Sequence, residues 1–235
     1  MQNMTPTDLP PTEEKTQYVR SMFDAIAGRY DLVNRLMTLG LDRRWRKRTI
    51  ARMKLDSGRT ILDLGCGTGD LTREAQLSGI NCFGIDLSFA MLVAASRLPS
   101  EFVEADASCL PLSSKSVDGV VSGFALRNFT DQDAVIVEIA RVLRPGGRLA
   151  ILEVDRPNWL IVRIGHHLWF NFVVPFIGAL FSVASAYRYL PKSMTYLPTP
   201  ERLNEMLVSA GFGEVCRIQL HGGLAQIVTA TLRNQ

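Results

Sequence analysis

Histidine is scarce in this 235-residue chain, and its cysteines are few and scattered. There are three histidines and four cysteines, Cys66, Cys82, Cys109 and Cys216, with no Cys-x-x-Cys pair. That pattern supports neither a zinc site nor a disulfide framework, and it fits a reducing compartment. An excess of one charge is missing too. The 26 Lys and Arg stand against 23 Asp and Glu, leaving +3, so net charge alone does not predict a nucleic-acid binder. No repeat or low-complexity tract interrupts the chain. Residues 1–17 carry Asp8, Glu13, Glu14 and three prolines, without a basic flank or an apolar run. They read as a loosely ordered tail, not as a signal or transit peptide.

One long stretch lacks charge. From Ile164 to Tyr187 no Asp, Glu, Lys or Arg occurs, which approaches the length of a membrane span. Pro175 and Gly178 interrupt it and Asn171 sits inside it, which argues against a spanning helix. A buried helical pair, an apolar lid over a greasy ligand and a segment dipping into the membrane interface stay open.

What is present is an alternation of short β-rich runs with helical patterns. The runs are Thr60–Leu64, Asn81–Asp86, Glu101–Ala105, Asp118–Ser122 and Arg148–Val154. Asp70–Ser78, Phe89–Leu98 and Gln132–Leu143 lie between them with helical apolar spacing. The alternation predicts right-handed βαβ crossovers and an open, mostly parallel sheet covered by helices on both faces. Pro200–Ala210 adds a helix, and Glu214–Leu220 and Leu224–Leu232 add closing strands. The fold class is therefore α/β, doubly wound and Rossmann-like, with seven strands. Tyr18–Lys54 reads as helical throughout, with Asp31 and Asp42 as caps. Residues 18–235 form a single domain on this reading, with 18–57 as a helical cover and 155–198 as a lid inserted after strand five.

The chemistry concentrates where strands end. Asp63-Leu64-Gly65-Cys66-Gly67-Thr68-Gly69-Asp70 leaves the first strand, where glycines let a ligand approach backbone amides near a helix start. Its spacing is GxGxG, not the GxGxxG of a dinucleotide fold, and Asp63 and Asp70 flank it, which argues against a pyrophosphate ligand. Asp86 ends the second strand, followed by Leu87, at the place of an acceptor for ribose hydroxyls. Asp106 ends the third run as an acceptor for an adenine amino group, with Ala107 leaving room for the ring. Singly, each Asp is also a plausible cap or turn residue.

Together these residues resemble the class I S-adenosylmethionine-dependent methyltransferases, over about Arg59 to Val154. Arg144-Pro145-Gly146-Gly147-Arg148 looks like that fold's connection into its fifth strand. Flanking blocks match a narrower family, the C-methyltransferases of menaquinone and ubiquinone biosynthesis. They are Met22-Phe23-Asp24 through Gly28-Arg29-Tyr30-Asp31-Leu32-Val33-Asn34, Leu39-Gly40-Leu41-Asp42 with Trp45-Arg46, Phe124 to Asp131, and Tyr187-Arg188-Tyr189-Leu190 with Ser193. The resemblance implies that S-adenosylmethionine binds at Asp63, Gly65, Gly67, Thr68, Gly69, Asp86, Leu87, Asp106, Ala107 and Gly123, with Gly123 near the methionine end. Relatives can carry Ser at the Gly123 position and Asp-Ser where this chain has Ser185-Ala186.

The reaction so implied methylates a ring carbon of a reduced prenylated quinone precursor, of which demethylmenaquinol is the first choice. Deprotonating a neighbouring hydroxyl makes that carbon electron-rich, and a dry pocket favours the charge-neutralising transition state. Arg127, Asn128, Tyr30 and Asp31 are the candidate catalytic residues. Arginine is a poor base, so Arg127 would order a water or stabilise the phenolate, Asn128 would orient it, and Asp31 or a water would take the proton. The structural alternative pairs Arg127 with an acid and makes Asn128 a helix cap. His166, His167 and His221 rank below them as bases. No metal is expected.

Seven basic residues and no acid occupy Arg43 to Lys54. Such a helix is a solvated face, or a contact for anionic lipid headgroups that would place the lid beside a bilayer. The expected partners are thus a lipophilic quinol, a peripheral membrane surface and, as an open option, a second copy of the chain. A cytoplasmic setting at the inner face of the membrane fits. The rivals are methylation of another apolar small molecule such as a sterol or polyketide phenol, a nucleic-acid methyltransferase, and a non-catalytic donor-binding module. Against nucleic acid stand the missing Asn/Asp-Pro-Pro-aromatic tetrapeptide after strand four and the lack of an aromatic-rich basic stripe.

Overall fold

Alternating β-rich runs and amphipathic helices assemble as the sequence demands. The computed structural model describes residues 12–155, 189 and 193–234. The apolar run from Ile164, His166, His167 and most of the expected lid lie outside the described residues. The strands are β1 (Thr60–Leu64), β2 (Asn81–Asp86), β3 (Phe102–Glu104), β4 (Val117–Gly123), β5 (Leu143–Val154), β6 (Phe212–Leu220) and β7 (Ala225–Leu232). They form one seven-stranded sheet in the order β3-β2-β1-β4-β5-β7-β6. The first five are parallel, and β7 runs antiparallel to β5 and β6.

The central strands are buried on both faces, as parallel strands under helices must be. In β1, Ile61, Leu62 and Leu64 are fully buried, and Val120 and Val121 of β4 match them. Each such side chain contributes about 1.5–3 kcal/mol of transfer free energy. Helices α4 (Asp70–Leu77), α5 (Phe89–Ala95), α6 (Gln132–Val142) and α7 (Pro200–Ser209) flank the sheet. Their starts are sequence-coded. Ser88 and Asp131 accept from Met91 N and Ala134 N, and Thr199 caps α7 ahead of Pro200, using donors a helix start leaves unpaired.

The N-terminal cover departs from expectation in three ways. Helix α1 spans Thr12–Ile26, so it begins inside the expected tail: Val19, Met22 and Ile26 form a buried stripe with Tyr189 and Met91 that stabilises the whole helix. The cover is not one continuous helix either. A 3-10 turn (Ala27–Arg29) precedes α2 (Tyr30–Thr38), and left-handed Leu39 and Gly40 separate α2 from α3 (Leu41–Met53). Asp31 and Asp42 lie inside the first turns of α2 and α3 and do not cap them. Asp42 instead accepts from Thr38 Oγ1 at 2.9 Å and from the Arg46 guanidinium. Among the described residues no helix is long and apolar enough to cross a membrane.

Candidate active site

Sheet order reverses between β1 and β4, so a crevice opens at their carboxyl ends, the usual ligand position in such sheets. The glycine loop leaves β1 there. Gly65 has φ +69°, and a Cβ on it would lie 2.6 Å from Ala125 Cβ, so only glycine fits. The amides of Gly65 and Cys66 donate to the Ile85 carbonyl at 2.8 and 3.1 Å, tying the loop to β2. Asp86, at the end of β2, accepts from Gly67 N at 2.8 Å and Ser88 N at 2.9 Å. Burial raises its carboxyl pKa, while the amides of Ser88, Gly67 and Leu87 oppose that rise. Asp106 Oδ1 accepts from the amide and hydroxyl of Ser108 at 2.8 and 2.7 Å.

These groups border a cavity of about 250 Å³. Gly65, Gly67, Asp86, Leu87, Asp106, Ala107 and Gly123 line it, together with Tyr30 and Asn128. A Cβ on Gly123 would meet Leu71 Cδ1 at 2.6 Å. A side chain at this position would have to displace the end of Leu71 of α4; as glycine, the position offers backbone only.

Asp63, Thr68 and Gly69 do not border the cavity. Asp63 is buried behind the loop, where its Oδ2 accepts from Thr72 N at 2.9 Å and Thr72 Oγ1 at 2.8 Å. Its Oδ1 has no hydrogen-bond partner, and burial pushes its carboxyl up to about 7 despite the two Thr72 bonds. Thr68 Oγ1 donates to Asp31 Oδ1 at 2.5 Å. Gly69 precedes α4 in the left-handed region. The three hold the loop in shape.

Of the candidate catalytic residues, the fold brings Tyr30 and Asn128 to the cavity and leaves Arg127 and Asp31 off it. Arg127 is buried, with its guanidinium paired to Glu153 and its Nε donating to Ser193 Oγ at 3.1 Å. It braces the turn Leu126–Asn128 against β5, which is the pairing that the structural alternative expects. Asp31 is engaged by Thr68. Asn128 Nδ2 donates to the Phe124 carbonyl at 3.3 Å, and Tyr189 Oη lies 3.4 Å from Asn128 Oδ1 as donor. Asn128 is not the cap of the next helix, since Asp131 fills that role. Burial raises the Tyr30 hydroxyl pKa, with Arg46 and Arg127 pulling it down. His221 Nδ1 accepts from Trp45 Nε1 at 2.8 Å and does not line the cavity.

Several site features escaped the sequence reading. Thr16, Val19, Arg20 and Phe23 of α1 form one wall of the cavity. Lys15 Nζ donates to the Phe129 carbonyl at 2.8 Å, and the Thr16 and Thr130 hydroxyls meet at 2.7 Å. Arg20 pairs with Glu104 across the mouth. The 3–4-residue spacing of Val19, Met22 and Ile26 was the available signal. Phe124 has φ +60°, a strained state for a bulky residue. Trp45 holds it at a ring distance of 6.3 Å and Arg46 at 5.8 Å. Arg46 itself is buried, paired with Asp42 and, at 3.2 Å, with Asp70, so it leaves the expected solvated or lipid-facing cluster.

The model of the ubiE/COQ5 methyltransferase family matches residues 11–231. The chain belongs to this family. Among its curated relatives, the demethylmenaquinone methyltransferase of Roseiflexus castenholzii is 38% identical, with 96% of this chain and 98% of the relative covered. That of Thermus thermophilus is 41% identical over 81% of this chain and 91% of the relative. A S-adenosylmethionine-dependent methyltransferase of Thermotoga maritima has the same fold at TM-score 0.66 and 18% identity, over 92% of this chain and all (100%) of that one. This ubiE/COQ5 member is thus a S-adenosylmethionine-dependent C-methyltransferase. Its residues fit the donor: Asp86 and Asp106, which line the cavity with the apolar Leu87, Ala105 and Ala107, offer carboxylate acceptors to a nucleoside. An anionic phosphate would meet only repulsion from them.

Proposed function

We propose that this protein transfers a methyl group from S-adenosylmethionine to a ring carbon of a reduced prenylated quinone precursor, demethylmenaquinol-like, in menaquinone or ubiquinone biosynthesis. Family membership over nearly the whole chain carries this reading. S-adenosylmethionine supplies the electrophilic methyl on a sulfonium. The chain supplies positioning and dehydration; the hydroxyl proton passes to water before attack, and on rearomatisation the ring-carbon proton leaves while the oxygen is reprotonated, so one proton is released to solvent for each methyl transferred.

The cavity divides by chemistry. Asp86 takes the ribose hydroxyls and Asp106 the adenine amino group, with the glycine-loop amides beside the methionine part. Tyr30 and Asn128 face the acceptor. Asn128 is held at Nδ2 by Phe124 and at Oδ1 by Tyr189, so its second Nδ2 hydrogen is free to orient a phenolate oxygen or a water. Tyr30 stays protonated near neutrality because burial raises its pKa, and it serves as a hydrogen-bond donor to the same oxygen. Arg127 acts as a brace behind Asn128, through Glu153 and Ser193. The acceptor is lipophilic, and we further propose that the protein meets it at a membrane surface.

The test uses a short-prenyl demethylnaphthohydroquinone with S-adenosylmethionine, with and without reductant. Carbon-bound methyl in the product, located by NMR and formed only under reductant, is expected. Methyl on oxygen, or equal transfer to the oxidised quinone, contradicts the proposal.

A further inference from the structure

Helix α3 divides cleanly into two arcs. Asp42, Trp45, Arg46, Thr49, Ile50 and Met53 are buried against the body of the protein. The opposite arc exposes Arg43, Arg44, Lys47, Arg48 and Ala51. Four cations and an alanine thus form the outer face, with no acid among them. No described acidic side chain pairs with these cations. With Arg46 turned inward, the remaining cluster is a true surface stripe, where mutual repulsion is relieved only by an external anion.

An apolar stripe precedes it. Leu32, Leu36 and Leu39 recur along α2 and its cap at exposures of 51%, 40% and 72%. The spacing of four residues keeps Leu32 and Leu36 on one face of α2, and Leu39 is exposed at the cap that ends it. Leu39 takes φ +52°, and the left-handed Leu39-Gly40 turn joins the helix that carries the leucines directly to the helix that carries the cations. The same helix α2 begins at Tyr30, on the cavity wall. Exposed leucines beside unpaired cations match the two-part chemistry of an interfacial segment, apolar side chains entering the acyl boundary and cations meeting headgroups.

We infer that the outer faces of α2 and α3 dock this protein on a bilayer rich in anionic lipid, with Leu32, Leu36 and Leu39 inserting and Arg43, Arg44, Lys47 and Arg48 binding headgroups. This deepens the quinol reading, since it brings the Tyr30 end of α2 to the phase where a prenylated acceptor dissolves. Its test does not depend on catalysis. Full-length protein is sedimented with vesicles of pure phosphatidylcholine and with vesicles in which phosphatidylglycerol makes up about a third of the lipid.

Binding to the anionic vesicles is expected, falling steeply between roughly 0.05 and 0.5 M salt. The triple variant Arg43→Gln, Arg44→Gln, Lys47→Gln should lose about fivefold in partitioning per cation, on the order of a hundredfold in all. Leu36→Glu should weaken binding even at low salt. Both variants should melt with the parent and turn over a water-soluble short-chain acceptor at the parental rate. Equal binding to both vesicle types, or unchanged binding by the triple variant, overturns the inference. So does capture of the vesicle-bound protein by RNA at equal phosphate concentration, which would mark the stripe as a nucleic-acid surface. If the parent binds vesicles but methylates no quinol, the docking inference stands and the quinol reading fails.

Discussion

Asn128 carries the sharpest single-residue expectation. Its amide is fixed at both ends and faces the cavity, so Asn128→Ala should keep affinity for S-adenosylhomocysteine within about threefold while lowering kcat roughly a hundredfold, the usual scale for a lost positioning or proton-transfer partner. Calorimetry and single-turnover transfer separate the two, and equal loss of both would remove Asn128 from the reacting end. Asp63 has a different signature. Its folded carboxyl is raised to about 7 from the ordinary 3.8, so the folded state holds a proton that the unfolded chain has already released. Its contribution therefore favours folding at low pH and is lost progressively as pH rises through that window. Asp63→Asn, which still accepts from Thr72, should flatten the fall of stability between pH 4 and about 7. Denaturant melts at several pH values check this, and an unchanged slope would show that Asp63 is ionised throughout. That Asp86, Asp106, Gly65 and Gly67 would meet at one crevice was legible from their places at strand ends, whereas Asp63 and Gly69 of the same loop lie behind it. The fate of Arg127 was not legible, because its partner Glu153 lies 26 positions away and only the β4–β5 pairing joins them.

At the scale of elements, β1, β4 and β5 were readable because buried strands are continuous apolar runs, while the short edge strand β3 is mostly exposed and was readable from its place between helical patterns. The N-terminal cover was less so. Polar residues and prolines before Thr12 hid the start of α1, and the left-handed Leu39-Gly40 break carries no proline to announce it. Nor did the basic composition of α3 reveal which cation turns inward, a matter decided by the acids that Arg46 meets on α3 and α4. That buried arrangement has a measurable strength. Arg46→Met leaves Asp42 and Asp70 uncompensated and should cost about 3–5 kcal/mol, near 10 °C in Tm, whereas Arg44→Met should change Tm by at most about 1–2 °C. Equal effects would contradict the two-arc description of α3. Helix α1 has its own test. Removing residues 1–17 deletes Lys15 and Thr16, which fasten it to Phe129 and Thr130. Affinity for S-adenosylhomocysteine should drop about tenfold or more while the sheet's circular dichroism persists. Unchanged affinity would remove α1 from the working wall of the site.

The whole molecule places the cavity at the carboxyl ends of the strands and a cation-lined surface on one α/β body. Fold alone does not select among methyl acceptors, since this sheet serves many chemistries. On the proposed reading, selection comes from the cavity walls and from the presentation of a lipid-dissolved substrate. The central claim is that the methyl group ends on a reduced prenylated ring. Its most direct measurement incubates the purified protein with methyl-labelled S-adenosylmethionine and a total cell extract, with and without reductant, and separates lipid, nucleic-acid and protein fractions. Label confined to a quinone-bearing lipid and dependent on reductant is the predicted result. Label in RNA or protein, or in lipid irrespective of redox state, would contradict it.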